Sequence, residues 1–393
     1  MENIALKYNF DQVTERSNSD SLKWNVEPGE LPMWVADMDF PTAPCILEAL
    51  KAKVEHGIFG YTLLADEWYS SIQNWWQTRH NLTISKEWIL FCHGVVPAIS
   101  SLIRRLTHPG ENVLIQTPVY NCFFRTINDN GRNVLENCLR YADGEYFIDW
   151  NDLEEKLSDP QTTLMLLCNP HNPIGKIWDK QTLVRISKLC SDYHVVVVAD
   201  EIHCDLTDPG VDYVPFASVS EAAQKNSITC ISPTKTFNIA GIQTSALVIP
   251  DEFLRNRVHQ GLRCDELSEN NVFAGISSAA AFSQEGAEWL DELRDYIYGN
   301  KKRVGEFLQA ELPQVKLVPS QATYLLWLDC CSFCHDFELA DFIRRDSGLF
   351  LTDGTVYGGA GLGFLRLNIA CPRSVLEDGL KRLKKSVLNY INA

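Results

Sequence analysis

Val195-Val196-Val197-Val198-Ala199-Asp200 is the stretch that decides how this chain folds. Four valines and an alanine leave no polar position on either side. A strand built from them must be covered on both faces, which is the situation of a strand inside a mostly parallel sheet. The acid that follows stands where such a strand opens into a loop. Similar short apolar runs occur at Trp88–Cys92, Asn112–Gln116, Thr163–Cys168, Ser227–Ile231 and Ser245–Ile249, separated by helix-length segments. That alternation predicts an α/β architecture, a central sheet flanked by helices. One of the helices is predicted over Val95–Leu106, and charged residues at helical spacing predict exposed helices over Asp251–Arg263 and Gly286–Leu312. From about Pro313 the texture changes. Short strand-like runs at Val315–Val318, Ala322–Leu328, Phe350–Thr352 and Phe364–Ile369 accompany helices at Phe337–Asp346 and Ser374–Asn389. We therefore expect a large domain over 46–285, a smaller α+β domain over 286–393, and an N-terminal segment, 1–45, that joins the smaller one.

The bulk composition excludes several classes. With 393 residues, 45% hydrophobic and 22% charged, the chain is large enough for about two domains. No apolar stretch reaches the roughly 18 residues of a membrane span. The first residues, MENIALKYNFDQVTERSNSD, carry no basic region followed by an apolar one, so a cytoplasmic protein is expected. A net charge of −16 opposes the phosphate attraction on which nucleic-acid binding depends. The 13 cysteines fit reduced core thiols better than a disulfide framework. Cys331-Ser-Phe-Cys334-His335 matches the spacing of covalent haem attachment, but it lies among core-like residues in a chain without export features, and no haem is expected. No second Cys/His pair accompanies it, so no metal site is expected either.

Seven short motifs punctuate the elements in order: Gly60-Tyr61, His93-Gly94-Val95-Val96, Pro118-Val119-Tyr120, Asn169-Pro-His-Asn172-Pro-Ile-Gly175, Asp200-Glu201-Ile-His203, Ser232-Pro-Thr-Lys235 and Arg366-Leu-Asn368. Each is weak alone; their types, order and strand-end positions are jointly specific. Together they resemble the fold-type I pyridoxal-phosphate (PLP) enzymes, and within these the aminotransferase-like cystathionine β-lyases of the MalY/PatB family. The resemblance covers nearly the whole chain and includes Met33-Trp-Val-Ala-Asp-Met-Asp-Phe40, a phrase of that subgroup rather than of aminotransferases at large. It implies the fold-type I PLP-dependent transferase fold, with a mostly parallel central sheet of seven strands, PLP as cofactor, and a homodimer.

Within that resemblance each residue has an expected role beside a plainer one. Lys235 follows a strand and a Ser-Pro-Thr turn, at the sheet end where α/β folds place ligands, and is the expected Schiff-base lysine; alone it would read as a loop lysine. Ser232 and Thr234 would offer hydroxyls to the cofactor phosphate, or serve only the turn. Asp200 would pair with the protonated ring nitrogen and keep the ring an electron sink, or cap the next segment. Asn172 is placed by the resemblance at the cofactor's 3-oxygen. Gly94 and Val95 would present backbone amides to the phosphate at a helix start, or form an ordinary strand-to-helix turn. Tyr120 matches the aromatic that stacks on the ring, Tyr61 the tyrosine that reaches the neighbouring subunit's phosphate, and simple packing is the alternative for both. Arg366, in a strand-like run, needs an anion; a substrate carboxylate suits its planar fork, and a structural ion pair is the alternative. Trp34 and Asp37 of the N-terminal phrase are expected beside the substrate. His203 stands where many aminotransferases carry a tyrosine, and either donates to the cofactor or packs near it.

The expected reaction is α,β-elimination from cystathionine or a cysteine S-conjugate, giving a thiol, pyruvate and ammonia. A class I/II aminotransferase would use the same lysine, aspartate and arginine. A regulatory, protein-binding role on the same scaffold is the reading from another class.

Overall fold

The structure, a computed structural model, describes residues 7–334 and 338–392. Its central sheet has seven strands in the order Ile89–Cys92, Ser245–Val248, Ser227–Ile231, Val196–Asp200, Thr162–Cys168, Asn112–Thr117 and Asn133–Cys138. Ser245–Val248 runs antiparallel to both neighbours, and every other pairing is parallel. The expected all-apolar strand lies near the middle. Val197 and Ala199 pack into one core and Val198 into another, so the strand is covered on both faces as its composition requires. The reading from apolar runs found six of these strands. The seventh, Asn133–Cys138, is an edge strand with mostly half-exposed side chains and lacks an apolar run.

Register brings the site together. Cys168 pairs with Asp200, and Asp200 with Cys230, so three parallel strands end level with one another. The segments that follow them, carrying Asn172, His203 and Lys235, all leave from the same edge of the sheet. The helix Val95–Leu106 starts at that edge too and buries Ala98, Ile99, Leu102 and Ile103 against the sheet beside the helix Glu252–Cys264. Asp251 caps that second helix, its carboxylate accepting the Leu254 amide at 2.7 Å.

A second sheet of four antiparallel strands follows in the order Lys316–Leu317, Leu325–Asp329, Phe364–Asn368 and Thr352–Asp353. The single strand expected over Phe350–Thr352 is instead two. Leu349–Phe350 pairs in parallel with Leu31–Pro32, and Thr352–Asp353 pairs with the Phe364–Asn368 strand. The partner changes at Leu351, which is buried. From Pro32 the N-terminal segment continues beside this second sheet: the Asn368 amide donates to Met33 O and the Asp39 amide to Ala370 O, each at 2.9 Å.

Helices Gln284–Glu311, Leu339–Ser347 and Arg373–Asn392 account for the remaining helical predictions, although Phe337, the expected start of the middle one, lies outside the described residues. Gly348 ends that helix at φ 69°, and a Cβ there would sit 3.1 Å from Gly29 O, so the position requires glycine. Of the haem-like motif, Cys331 is half-buried and Cys334 buried; His335 lies outside the described residues. Among the described residues no helix is long and apolar enough to cross a membrane.

Candidate active site

A cavity of about 370 Å³ opens at the level strand ends, and Gly94, Tyr120, Asn172, Asp200, His203 and Lys235 all line it. The volume is in the range of small-molecule sites. Lys235 is half-buried in its wall, and its Nζ donates to Ala36 O at 2.7 Å. Burial, then the neighbouring Arg366, lower this amine below its ordinary value, against the opposing pull of Asp37 and Asp200. A lysine in these surroundings sheds its proton more readily than one in water, as an imine-forming amine must.

Asp200 ends its strand only 4% exposed, and burial raises its carboxyl to about 6. Its Oδ1 accepts the Ile202 amide at 3.3 Å, a weak local contact. A carboxylate with so little compensation is costly unless a cationic group enters the cavity. His203 is likewise buried; desolvation, then Lys235 and Arg366, depress it to about 3, so it is neutral, and its Nδ1 has no partner among the described residues.

Arg366 sits mid-strand, 6% exposed. Its Nη1 donates to Asn172 Oδ1 at 3.2 Å, its Nη2 to Trp34 O at 2.8 Å, and its guanidinium lies 4.9 Å from the Tyr357 ring centroid. Its Nε has no partner, and no carboxylate among the described residues forms an ion pair with it. A buried guanidinium held only by neutral acceptors is matched to an anion from outside. The bond to Arg366 uses the Asn172 oxygen and leaves its NH₂ group for a ligand.

Gly94 caps the 12-residue helix that starts at Val95, with no side-chain cap, so the Val95 and Val96 amides are open for an anion. Its φ of −179° is extended backbone, and a Cβ would meet only Pro97 at 3.4 Å. Close backbone approach to a ligand, rather than backbone geometry, is therefore what a glycine here would serve.

The remaining expected residues are placed differently. The Ser232 hydroxyl donates to Thr244 O at 2.7 Å and accepts from the Thr234 amide at 3.1 Å, and the two hydroxyls are 2.7 Å apart. Both serve the turn, and neither lines the cavity. Asp37 is ion-paired with Arg16 at 2.9 Å and acts on Lys235 through its charge, while the Trp34 ring stacks on Phe350 at 4.7 Å and its carbonyl accepts from Arg366. Tyr61 is fully exposed and does not line this cavity; it borders an adjoining surface hollow with Phe59, Ile242 and Phe273.

Reading the sequence did not find Ala36, Asn238, Tyr324 or the role of Asn368. Asn368 Nδ2 donates to Val35 O and Asp37 O, each at 2.6 Å, and Asn238 bonds Met38 through its amide and carbonyl. These amides fasten the N-terminal phrase over Lys235. Their proximity to the quoted motifs was the available signal. Elsewhere, His80, Cys204 and Asp205 bring metal-ligand atoms within 4.8 Å of one another, but His80 Nε2 already pairs with Asp205 Oδ1 at 2.8 Å.

The orphaned Arg366 Nε, the unpartnered His203 Nδ1, the uncompensated Asp200 and the open amides at Val95 fit a phosphorylated, cationic-ring aldehyde bound with an amino acid. Comparison with known proteins gives the same picture. The family model described as aminotransferase class I and II matches residues 32–383. The chain is similar to cystathionine β-lyase PatB of Bacillus subtilis, with 44% identity covering 96% of this chain and all of the relative. It is similar to protein MalY of Escherichia coli, with 34% identity over 97% and 99% of the two chains. Among solved structures it is similar to cystalysin from Treponema denticola, which contains pyridoxal 5′-phosphate, with a TM-score of 0.94, 32% identity, and 97% and 99% coverage.

Proposed function

This chain belongs to the aminotransferase class I and II family, in its MalY/PatB branch; it is a PLP-dependent carbon–sulfur β-lyase, and we propose that Lys235 is its cofactor-anchoring lysine and catalytic base. The substrate on this reading is cystathionine or another cysteine S-conjugate. The observation that carries it is the convergence on one cavity of an amine and a buried carboxylate, with Arg366 reached through Asn172.

Bound PLP supplies an electron sink that acidifies the substrate's α-carbon. The chain's residues do the rest. Val95 and Val96 offer amides to the phosphate, Asp200 offers its carboxylate to the ring nitrogen, and Asn172 offers its NH₂ group to the ring oxygen. Arg366 binds the substrate carboxylate through Nε and whichever terminal nitrogen it releases from Asn172 or Trp34 O. With cofactor and substrate bound, the neutral Lys235 amine would be the base that takes the α-proton. The C–S bond then breaks with its electron pair going to sulfur, and the protonated Lys235 would return its proton to the departing thiolate. Hydrolysis of the remaining unsaturated fragment yields pyruvate and ammonia. His203, held neutral, packs beside these groups without contributing charge.

The exposed loop residues Ile58, Phe59, Tyr61 and Leu63 form an apolar surface that a second copy of the chain would cover, bringing Tyr61 toward the neighbouring site. Borohydride reduction of the holoenzyme followed by peptide mapping tests the anchor: the added mass is expected on Lys235, and its appearance on another lysine overturns the assignment. Pyruvate released from cystathionine without any added keto acid is the expected turnover. Strict dependence on 2-oxoglutarate would instead mark a transaminase.

A further inference from the structure

We propose that Tyr324 is a positioning residue for Lys235, acting through the Ala36 carbonyl that both side chains share. The inference rests on Lys235 being the base. Tyr324 is fully buried in the Leu325 region of the second sheet, and its hydroxyl donates to Ala36 O at 3.0 Å. The Lys235 amine donates to the same oxygen at 2.7 Å. A carbonyl oxygen has two lone pairs, so these two donors complete its capacity.

That carbonyl is held still. Trp34 O accepts from Arg366 at 2.8 Å and from the Thr352 hydroxyl at 3.2 Å, while Asn368 takes the carbonyls of Val35 and Asp37, on either side of Ala36. The Tyr324 ring also stands edge-on to His203 in the cavity wall, 6.3 Å between centroids. Among the described residues the buried Tyr324 hydroxyl has no other hydrogen-bond partner.

The consequence for Lys235 is directional and electrostatic. A neutral amine has two N–H groups and one lone pair; donating one N–H to a fixed oxygen leaves the lone pair able to face the cavity. The second donor, Tyr324, also competes for the carbonyl's electron density. Without it Ala36 O becomes a stronger acceptor and favours the ammonium form, which is the wrong protonation state for a base.

Tyr324→Phe is therefore expected to lower kcat on the order of tenfold with little change in KM, and to move the acid limb of the kcat profile, which reports the substrate-bound enzyme in which the Lys235 amine is free, to higher pH. In the apoprotein, the pH at which Lys235 is half-acetylated by acetic anhydride, read by peptide mapping, is expected to move upward as well. 4-Aminophenylalanine at 324, which keeps a donor at the same place, should restore both and guards against a folding defect. In Lys235→Ala enzyme with turnover restored by added methylamine, Tyr324→Phe is expected to change the rate by no more than about twofold, because the group it acts through is gone. An unmoved acetylation midpoint, or an equal loss in the rescued background, overturns the proposal. Full turnover by Lys235→Ala without added amine sinks the reading of Lys235 as base instead, and leaves the acetylation result standing.

Discussion

Lys23, buried, and Lys235, half-buried in the cavity wall, show how the same side chain is put to opposite uses. Lys23 is 1% exposed, its Nζ 2.8 Å from Asp39 and 3.8 Å from Asp37. Asp39 takes a further bond from Arg16 at 2.7 Å and one from the Trp24 indole at 2.8 Å. Every charge in that cluster faces an opposite one. Lys235 has a neutral carbonyl as its hydrogen-bond partner, Arg366 working against its charge, and two carboxylates working for it. Complete pairing ties the N-terminal segment together; incomplete pairing at Lys235 leaves a proton that can be moved. Asp37 belongs to both environments, and so couples the structural cluster to the site.

The comparison breaks most visibly at Lys235. Lys235→Ala is expected to lower pyruvate release by about 10²- to 10⁴-fold, the usual contribution of a positioned base, while the thermal midpoint of the apoprotein stays the same or rises. Among the described residues the lysine has no ion pair to lose, so a large drop in stability would place it with Lys23. Lys23→Met should do the reverse. It strands Asp39 in a buried position with one cation fewer, and about 3 kcal/mol of unfolding free energy is expected to go, read by urea titration. Turnover per folded molecule should survive. A Lys23→Met protein of unchanged stability would mean that Arg16 alone carries the acids.

How far the sequence could be read follows from what each feature is made of. Strand Val196–Asp200 was legible because burial on both faces demands an apolar run, and strand Asn133–Cys138 was not because an edge strand makes no such demand. Asp200 and Arg366 stood out as charges at a strand end and inside a strand, where burial is expensive, whereas Lys235, alone a loop lysine, stood out only through the series of motifs it belongs to. The Ala36 carbonyl was not, since a backbone oxygen leaves no mark on residue type. For Ser232 and Thr234 the sequence offered two readings, the cofactor phosphate or the turn; their hydroxyls bond each other and Thr244 O within the turn, and spacing does not choose between the two. Asp37 was expected beside the substrate; its ion-pair partner Arg16 lies on an irregular segment with no periodicity to announce the contact.

Beside Asp200 stands a buried acid that the chemistry does not use, and it gives the smallest and most selective test. Glu201 is fully buried, and desolvation raises its carboxyl to about 8, despite the Phe216 amide at 2.8 Å and the neighbouring Tyr213. The folded protein therefore keeps a proton there that the unfolded chain releases near its ordinary value of 4.5. More protons bound in the folded state means stability that is complete below that value and is lost as pH rises toward 8. His171 and His203, depressed to about 4 and 3, act in the opposite direction, gaining stability as pH rises, but only up to their ordinary value of 6.5. Glu201→Gln keeps an oxygen for the Phe216 amide and has no proton to lose. The difference in unfolding free energy between the parent and this variant isolates the acid, and between pH 6.5 and 7.5 it should move against the parent by about 1 kcal/mol. Parallel stability curves for the two proteins would mean that Glu201 is ionised in the fold, compensated as Lys23 is, and that the unpaired charges stop at the cavity wall.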